Sequence, residues 1–371
     1  MKYQMINEQK VSLLGFGCMR LPTNSDDSID EKAAFELWDY AYQNGVNYFD
    51  TAYVYHEGAS EVVLGKWLQS IDRESVYLAS KLPLWDITDI NTVEEIFVRQ
   101  LEKLQTSYID FYLLHAIRKS NWQTVLDLKV LSLLEKYKAQ GKIRNIGFSF
   151  HDSFAFFEEV IRAYPWDFCQ IQLNYMDVNY QAGSKGAALA HELGIPQVIM
   201  EPLKGGLLAV LPEKEKALLD SQHSAATMAF RWLADYPGIA VILSGMHRKS
   251  DVVENIATIN DLPACNAREK ENIAKVAASL NANILVDCTA CGYCVPCASN
   301  VDIPGCFKYL NVGNRYNNFK VARTNYELNV ADKRASNCTQ CLACLDKCPQ
   351  QIAIVAMLKL VVEKLEGSTK G

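Results

Sequence analysis

Nine of the twelve cysteines fall in the last 84 residues, and eight of these form two tight arrays, Cys288-x2-Cys291-x2-Cys294-x2-Cys297 and Cys338-x2-Cys341-x2-Cys344-x3-Cys348-Pro349. Thiolates are metal ligands, and loops this short can turn three of them toward one centre while the fourth reaches a neighbouring one. Zinc is the competing occupant, but a zinc ribbon separates its C-x2-C pairs by about 15 to 20 residues, whereas each array packs four cysteines into about ten. The second array has the spacing that holds iron-sulfur cubanes. The first is one residue shorter before its last cysteine and has Ala298 where proline would follow, so Cys306 stands as the substitute if Cys297 does not reach. Two 4Fe-4S clusters are expected. Cys18, Cys169 and Cys265 read as buried or strand cysteines without a partner.

A second set of reactive side chains lies in the first third of the chain. Phe49-Asp50-Thr51-Ala52-Tyr53-Val54-Tyr55, Ser80-Lys81 and Leu113-Leu114-His115 each end a strand-like run in polar, titratable residues. Singly, these are a helix cap, a solvated strand end and a satisfied core histidine. At the ends of adjacent parallel strands they would converge on one mouth.

The elements that must position them are legible from periodicity. Short β-rich runs at 13–17, 47–50, 76–81, 109–115, 144–149, 169–173, 197–200 and 240–243 alternate with helical patterns such as 31–43, 93–104 and 154–163. Repeated βα units imply a parallel sheet. Gly45, Gly141 and Gly194 each stand just past a helix, as C-cap glycines do. No G-x-G-x-x-G turn follows the first strand, so an open dinucleotide-binding sheet loses to a closed (β/α)8 TIM barrel. The expected architecture is α/β: a barrel over 1–265, a connecting helix over 266–286, and a small, mostly helical iron-sulfur domain over 287–371.

Composition bounds the partners. With 371 residues, 49% apolar and 22% charged, the chain can bury a large core, and its net charge of -6 without a basic run argues against nucleic acid. No apolar stretch is long enough for a membrane span and none at the N-terminus reads as a signal peptide, so a cytoplasmic protein is expected. In that compartment thiols stay reduced, which again favours metal over disulfides. Oligomeric state is not readable.

Over roughly residues 10–262 the sequence resembles the aldo/keto reductase superfamily, specifically members with a C-terminal ferredoxin-like domain. The resemblance rests on Asp50-Thr-Ala with Tyr55 five residues on, Lys81, Arg99-Gln-Leu-Glu-Lys-Leu-Gln-Thr-Ser-Tyr-Ile-Asp-Phe-Tyr-Leu-Leu-His115, and Gly141-Lys-Ile-Arg-Asn-Ile-Gly-Phe-Ser149. It implies nicotinamide chemistry, with NADP(H) and NAD(H) both open, and a catalytic tetrad of Tyr55, Lys81, Asp50 and His115. Hydride delivery to a carbonyl builds negative charge on oxygen, which needs a proton donor and a fixed dipole. Tyr55 would donate, Lys81 would lower its pKa, Asp50 would hold Lys81, and His115 would orient the oxygen.

The resemblance also implies cofactor contacts. Ser149 and Gln172 match carboxamide-holding positions, Phe150 replaces a frequent Asn, and Met200 stands where many members stack a Tyr. Ser244 and Gly245, with Glu254 and Asn255, match the adenosine-phosphate loop, where Asp251 would repel a 2'-phosphate and Arg248 and Lys249 would attract one. Trp85, His56, Trp122 and His151 follow strand ends and are candidates for lining a substrate site, with ordinary loop packing the competing explanation. In the ferredoxin arrangement Cys288, Cys291, Cys294 and Cys348 share one cluster, and Cys338, Cys341, Cys344 and Cys297 the other. The implied function is an NAD(P)-linked oxidoreductase acting on an aldehyde, ketone or quinone-like substrate, with the clusters as a one-electron relay to a ferredoxin or similar partner. Flavin has no fixed motif and is not readable. The alternative is a redox-responsive nicotinamide-binding module whose clusters serve structure or partner contact.

Overall fold

The computed structural model describes residues 1–219, 222–261, 263–288, 290, 292, 294–345, 347–348 and 350–367. The chain divides into two units, Met1–Gly205 with Ala226–Asn266, and Gly206–Ala225 with Ala267–Gly371.

The first unit is a closed parallel barrel. An N-terminal hairpin, β1 (Tyr3–Ile6) and β2 (Gln9–Ser12), precedes eight strands: β3 (Leu14–Gly17), β4 (Tyr48–Asp50), β5 (Tyr77–Pro83), β6 (Ile109–Ile117), β7 (Ile143–Phe150), β8 (Phe168–Gln172), β9 (Gln197–Met200) and β10 (Ile239–Ser244). These pair in chain order, and β10 closes on β3 with Ile242 beside Leu14. The strands are buried almost throughout, as parallel strands covered on both faces must be. Sheet and outer helices meet through rings such as Phe16, Trp38, Phe49 and Trp67.

The first outer helix carries its own start and stop. In Glu31–Gln43 the Asp30 carboxylate accepts from Ala33 N–H, and Ala34, Leu37, Trp38 and Ala41 make the buried face at three- and four-residue spacing. Gly45 follows at φ +90°, where only glycine turns the chain without strain. The β-runs read from sequence match the barrel strands to within two residues at each end.

The hairpin is the element that periodicity does not show. Its first strand buries only Ile6, so the alternation is too weak to register. Ile6 and Val11 pack with Tyr48, Phe111, Phe168 and Val241, while Asn7 donates its amide to Asn145 Oδ1 at 2.8 Å and Asp167 Oδ1 at 2.9 Å. Asn145 and Asp167 lie at the N-terminal ends of β7 and β8, so the hairpin plugs the end of the barrel away from the polar strand termini.

The second unit is helical among its described residues. Ile303–Arg315, Phe319–Val330 and Ile354–Val361 enclose a core of Cys306, Phe307, Leu310, Tyr326 and Leu358. Asp302 caps the first of these, accepting from Gly305 N–H, and Asn318 caps the second. The helix Ala267–Ala282 also belongs to this unit, joined to Glu213–Leu219 by Ser279 Oγ donating to Glu215 Oε1 at 2.6 Å and Asn272 Nδ2 donating to Leu219 O at 3.1 Å. No helix of the described residues is long and apolar enough to cross a membrane.

Candidate active site

Asp50 ends β4, Lys81 lies near the end of β5 and His115 near the end of β6, so parallel pairing brings them to the same end of the barrel. The Lys81 ammonium donates to Asp50 Oδ1 at 2.6 Å and to Thr51 O at 2.7 Å, with both charged side chains almost wholly buried. Asp50 Oδ2 accepts from Gln170 Nε2 at 3.2 Å, a contact from β8 that the sequence reading misses. Its signal was present: Gln170 and Gln172 are the only polar residues in a strand otherwise reading Phe-Cys-Ile.

Tyr55 opens a short turn, Tyr55–Gly58, in which His56, Glu57 and Gly58 all have positive φ. That turn lays the phenol beside the ion pair, with Lys81 Nζ 4.9 Å from the ring centroid. The His115 ring meets Tyr55 edge-on at 6.1 Å, and Trp85, half-exposed, lies against His115 at 5.0 Å. His115 Nδ1 is buried without a hydrogen-bond partner among the described residues.

Electrostatics follow from this burial. Burial pushes the Tyr55 phenol above its ordinary value; the Lys81 charge opposes the rise and Asp50 adds to it. Burial alone would lower Lys81, but Asp50 and Tyr55 together hold it above its ordinary value, as an ammonium. Asp50 is raised by burial against the pull of Lys81 and Gln170. His115 is held well below its ordinary value by burial and then by the Lys81 charge, so its imidazole is neutral.

A buried polar network backs the strand that carries Lys81. Gln100 Nε2 donates to Lys81 O at 3.2 Å and Glu61 Oε1 at 2.7 Å, Ser80 Oγ donates to the same Glu61 oxygen at 2.6 Å, and Tyr112 Oη donates to Gln100 Oε1 at 2.7 Å. The register of β6 against β7 slips between Leu114 and Ile117, where Ala116 takes φ +55°. Ser149 fixes this kink, its Oγ accepting from Ala116 N–H at 2.8 Å. A bulge re-aims neighbouring side chains, so Ser149 bears on the orientation of His115.

The remaining expected contacts lie on the next strand ends. Gln172 donates to Asp177 Oδ2 at 2.8 Å, and Lys204 clamps the same carboxylate at 2.5 Å. Met200 ends β9, half-buried. Ser244 ends β10, its hydroxyl accepting from Asn255 Nδ2 at 3.0 Å, and Gly245 follows beside the Arg20 side chain. Glu254 is exposed on the helix Lys249–Asn260. Arg248 is paired with Asp251 at 3.0 Å, and Lys249 lies over the Tyr40 ring. Of the proposed pocket residues, Trp122 is a buried packing residue against Trp166, while His56 accepts from Leu21 N–H at 3.2 Å.

In the second unit the cysteines line two cavities. One is bounded by Cys288, Cys294 and Cys348 with Ile303, Phe307 and Ile354. The other is lined by Cys297, Cys338, Cys341 and Cys344 and also by Cys294, which the two cavities share. Burial, and then the neighbouring Cys338, Cys297 and Cys341, push the Cys344 thiol up, the mark of thiols crowded around one space. Gln340 and Leu342 flank Cys341 at positive φ, and Ser299 and Thr339 tie the two loops at 2.8 Å. Cys291 lies outside the described residues. Cys306 lines neither cavity: it is fully buried, 3.7 Å from Tyr326 Oη, and burial pushes its thiol up to about 12. Among the described residues no three side chains converge on one ion-sized point. Thiols spread around a cavity fit a multi-iron cluster. Cys18, Cys169 and Cys265 are buried.

A profile of the aldo/keto reductase family matches residues 13–279, and one of a 4Fe-4S dicluster domain matches residues 287–353. A probable aldo-keto reductase 1 of Glycine max is 33% identical over 149 residues, 38% of this chain and 42% of that protein. The uncharacterized oxidoreductase YrpG of Bacillus subtilis (strain 168) is 29% identical over 220 residues, 54% of this chain and 65% of its own length. The chain thus spans less than two thirds of each of these relatives. A holo-form aldo-keto reductase from Bacillus halodurans superposes with a TM-score of 0.63 at 25% identity, covering 74% of this chain and 96% of that one.

Proposed function

The chain belongs to the aldo/keto reductase family, and from that premise we propose that it reduces a carbonyl substrate with NAD(P)H in the cytoplasm and carries two 4Fe-4S clusters that pass single electrons. The observation that carries this reading is the buried Lys81–Asp50 pair beneath Tyr55, with a neutral His115 edge-on to the phenol.

A bound nicotinamide supplies a hydride to the carbonyl carbon. The chain's own residues handle the charge that then develops on oxygen. Tyr55, kept protonated by burial, gives its proton to that oxygen. The phenolate left behind is stabilised by Lys81, whose own proton stays on because Asp50 is 2.6 Å away. His115, being neutral, orients the carbonyl through an N–H without adding a competing charge. Ser149 stands one residue before the end of β7 and Gln172, Met200 and Ser244 end β8, β9 and β10, and with Gly245, Glu254 and Asn255 they are the residues that would hold the cofactor. Ser149 suits this because its hydroxyl accepts from Ala116 and so keeps its own proton to donate.

One cavity with Cys288, Cys294 and Cys348 and another with Cys297, Cys338, Cys341 and Cys344 support the crossed ligand sets, in which Cys291 would complete the first. Bound clusters exchange one electron at a time, whereas a hydride carries two, so the relay requires a flavin or a substrate able to accept single electrons, and an outside carrier such as a ferredoxin. The test is anaerobic turnover of a panel of aldehydes, ketones and quinones with NADH and NADPH. Alcohol or hydroquinone formed in step with cofactor oxidation is the expected result. Tight cofactor binding with negligible turnover across the panel would instead make the barrel a sensor.

A further inference from the structure

The two cysteine cavities of the second unit share part of their walls: Cys294, Ile303 and Lys347 line both. Ile303 is buried at the start of the helix Ile303–Arg315, and Lys347 stands exposed one residue before Cys348. Around them the linings are apolar or uncharged, with Phe307 and Ile354 in the first cavity and Ser299 and Thr339 in the second. Cysteines aside, Lys347 is the only charged side chain among the described residues that line either cavity. It forms no ion pair with a carboxylate among the described residues, so no neighbouring anion neutralises it.

The four thiolates of a ligated cubane outweigh the positive charge of its core, so the cluster is an anion and each one-electron reduction makes it more so. A cation beside it stabilises the reduced form more than the oxidised form and raises the midpoint potential, net charge being one of the levers that set it. The exposure of Lys347 screens this charge and keeps the effect modest. A charge confined to one cavity would move one potential alone. A charge common to both cavities moves both in the same direction, and so raises the pair without setting one cluster against the other.

We propose that Lys347 sets the reduction potentials of the two clusters in common, raising both. The inference rests on the reading of the two cavities as 4Fe-4S sites and deepens it by giving a role to a residue that is not a ligand.

The experiment is an anaerobic redox titration of the full chain with dithionite, followed by electron paramagnetic resonance, in the unaltered protein and in Lys347→Met, Lys347→Gln, Lys347→Arg and Lys320→Met. Iron and acid-labile sulfide are counted on each sample. Lys320, exposed on the helix Phe319–Val330, lines neither cavity, and its loss removes the same charge from the same helical unit. Both one-electron midpoints are expected to fall in Lys347→Met and Lys347→Gln, with iron and sulfide retained, by about three- to tenfold in the reduction equilibrium, roughly 30 to 60 mV for a one-electron couple. Lys347→Arg, which keeps the charge, and Lys320→Met should both stay close to the unaltered protein. Midpoints unmoved in both neutral variants, a fall at one cluster alone, or an equal fall in Lys320→Met overturns the assignment. Loss of cluster iron in both neutral variants makes the lysine a structural residue and overturns it as well. Zinc in place of iron and sulfide in the unaltered protein overturns the cluster reading itself, and the role of Lys347 with it.

Discussion

Lys81 and Asp50 meet at 2.6 Å where water scarcely reaches, and each makes the other tolerable there. Removing one partner of such a pair leaves an uncompensated buried charge, at a cost of about 3–5 kcal/mol. Lys81→Met should therefore lower the melting temperature markedly, and Lys81→Met with Asp50→Leu should recover much of the loss while leaving carbonyl reduction absent. Thermal unfolding of the single and double variants checks this; an unmoved melting temperature in Lys81→Met would show that the pair carries no stability. The titrating groups also fix a pH profile. Tyr55 is raised, so its acid form persists through neutral pH and is lost only in strong alkali, while His115 and His151 are lowered and stay neutral. Carbonyl reduction should be flat between about pH 6 and 9, without the inflection near 6.5 that a titrating histidine would give. Stability behaves differently: the unfolded histidines bind protons below about 6.5, so the contribution of keeping them neutral is full above that value and is lost as pH falls toward the folded values.

At the scale of elements, the strands and the helices between them were legible because each buried face repeats at the period of its own structure, and Asp50, Lys81 and His115 were legible because each interrupts an apolar run at its end. Gln170 was missed although it interrupts an apolar strand, because local sequence does not say that its partner is Asp50, across the barrel on β4. Positive φ at Ala116, His56 and Glu57 was missed for a related reason: these residues are not glycine, and only the fold holds them in strained conformations. The hairpin shows a third limit, since two buried residues, Ile6 and Val11, make too short a pattern to separate from loop. Its role can be tested away from the chemistry. Ile6→Ala should destabilise the barrel by about 2–5 kcal/mol, as for a buried isoleucine truncated to alanine, and leave KM for carbonyl and cofactor unchanged because the hairpin closes the opposite end. A KM that rises in proportion to the lost stability would mean that the two ends are coupled.

At the scale of the whole molecule, the chain joins an aldo/keto reductase barrel to a 4Fe-4S dicluster domain, and the cysteine spacing made that combination legible before any fold was in view. The structure adds where Cys306 goes, which spacing left open. Anaerobically prepared protein should hold about eight iron and eight sulfide per chain. Cys297→Ser should lose about half of the iron, and Cys306→Ser, with its thiol packed against Tyr326, should keep it all. The reverse pattern would exchange their roles. For the relay, reduced nicotinamide with substrate or added flavin should produce a cluster signal in electron paramagnetic resonance; clusters that never reduce, with turnover intact in folded Cys341→Ser, would leave them a structural role. The account as a whole stands on proton donation at Tyr55, and the most direct measurement is anaerobic carbonyl turnover by the full chain carrying Tyr55→Phe, with nicotinamide binding followed on the same sample. Loss of turnover by roughly 100- to 10,000-fold with binding retained is the predicted result, and turnover equal to that of the unaltered protein would contradict it.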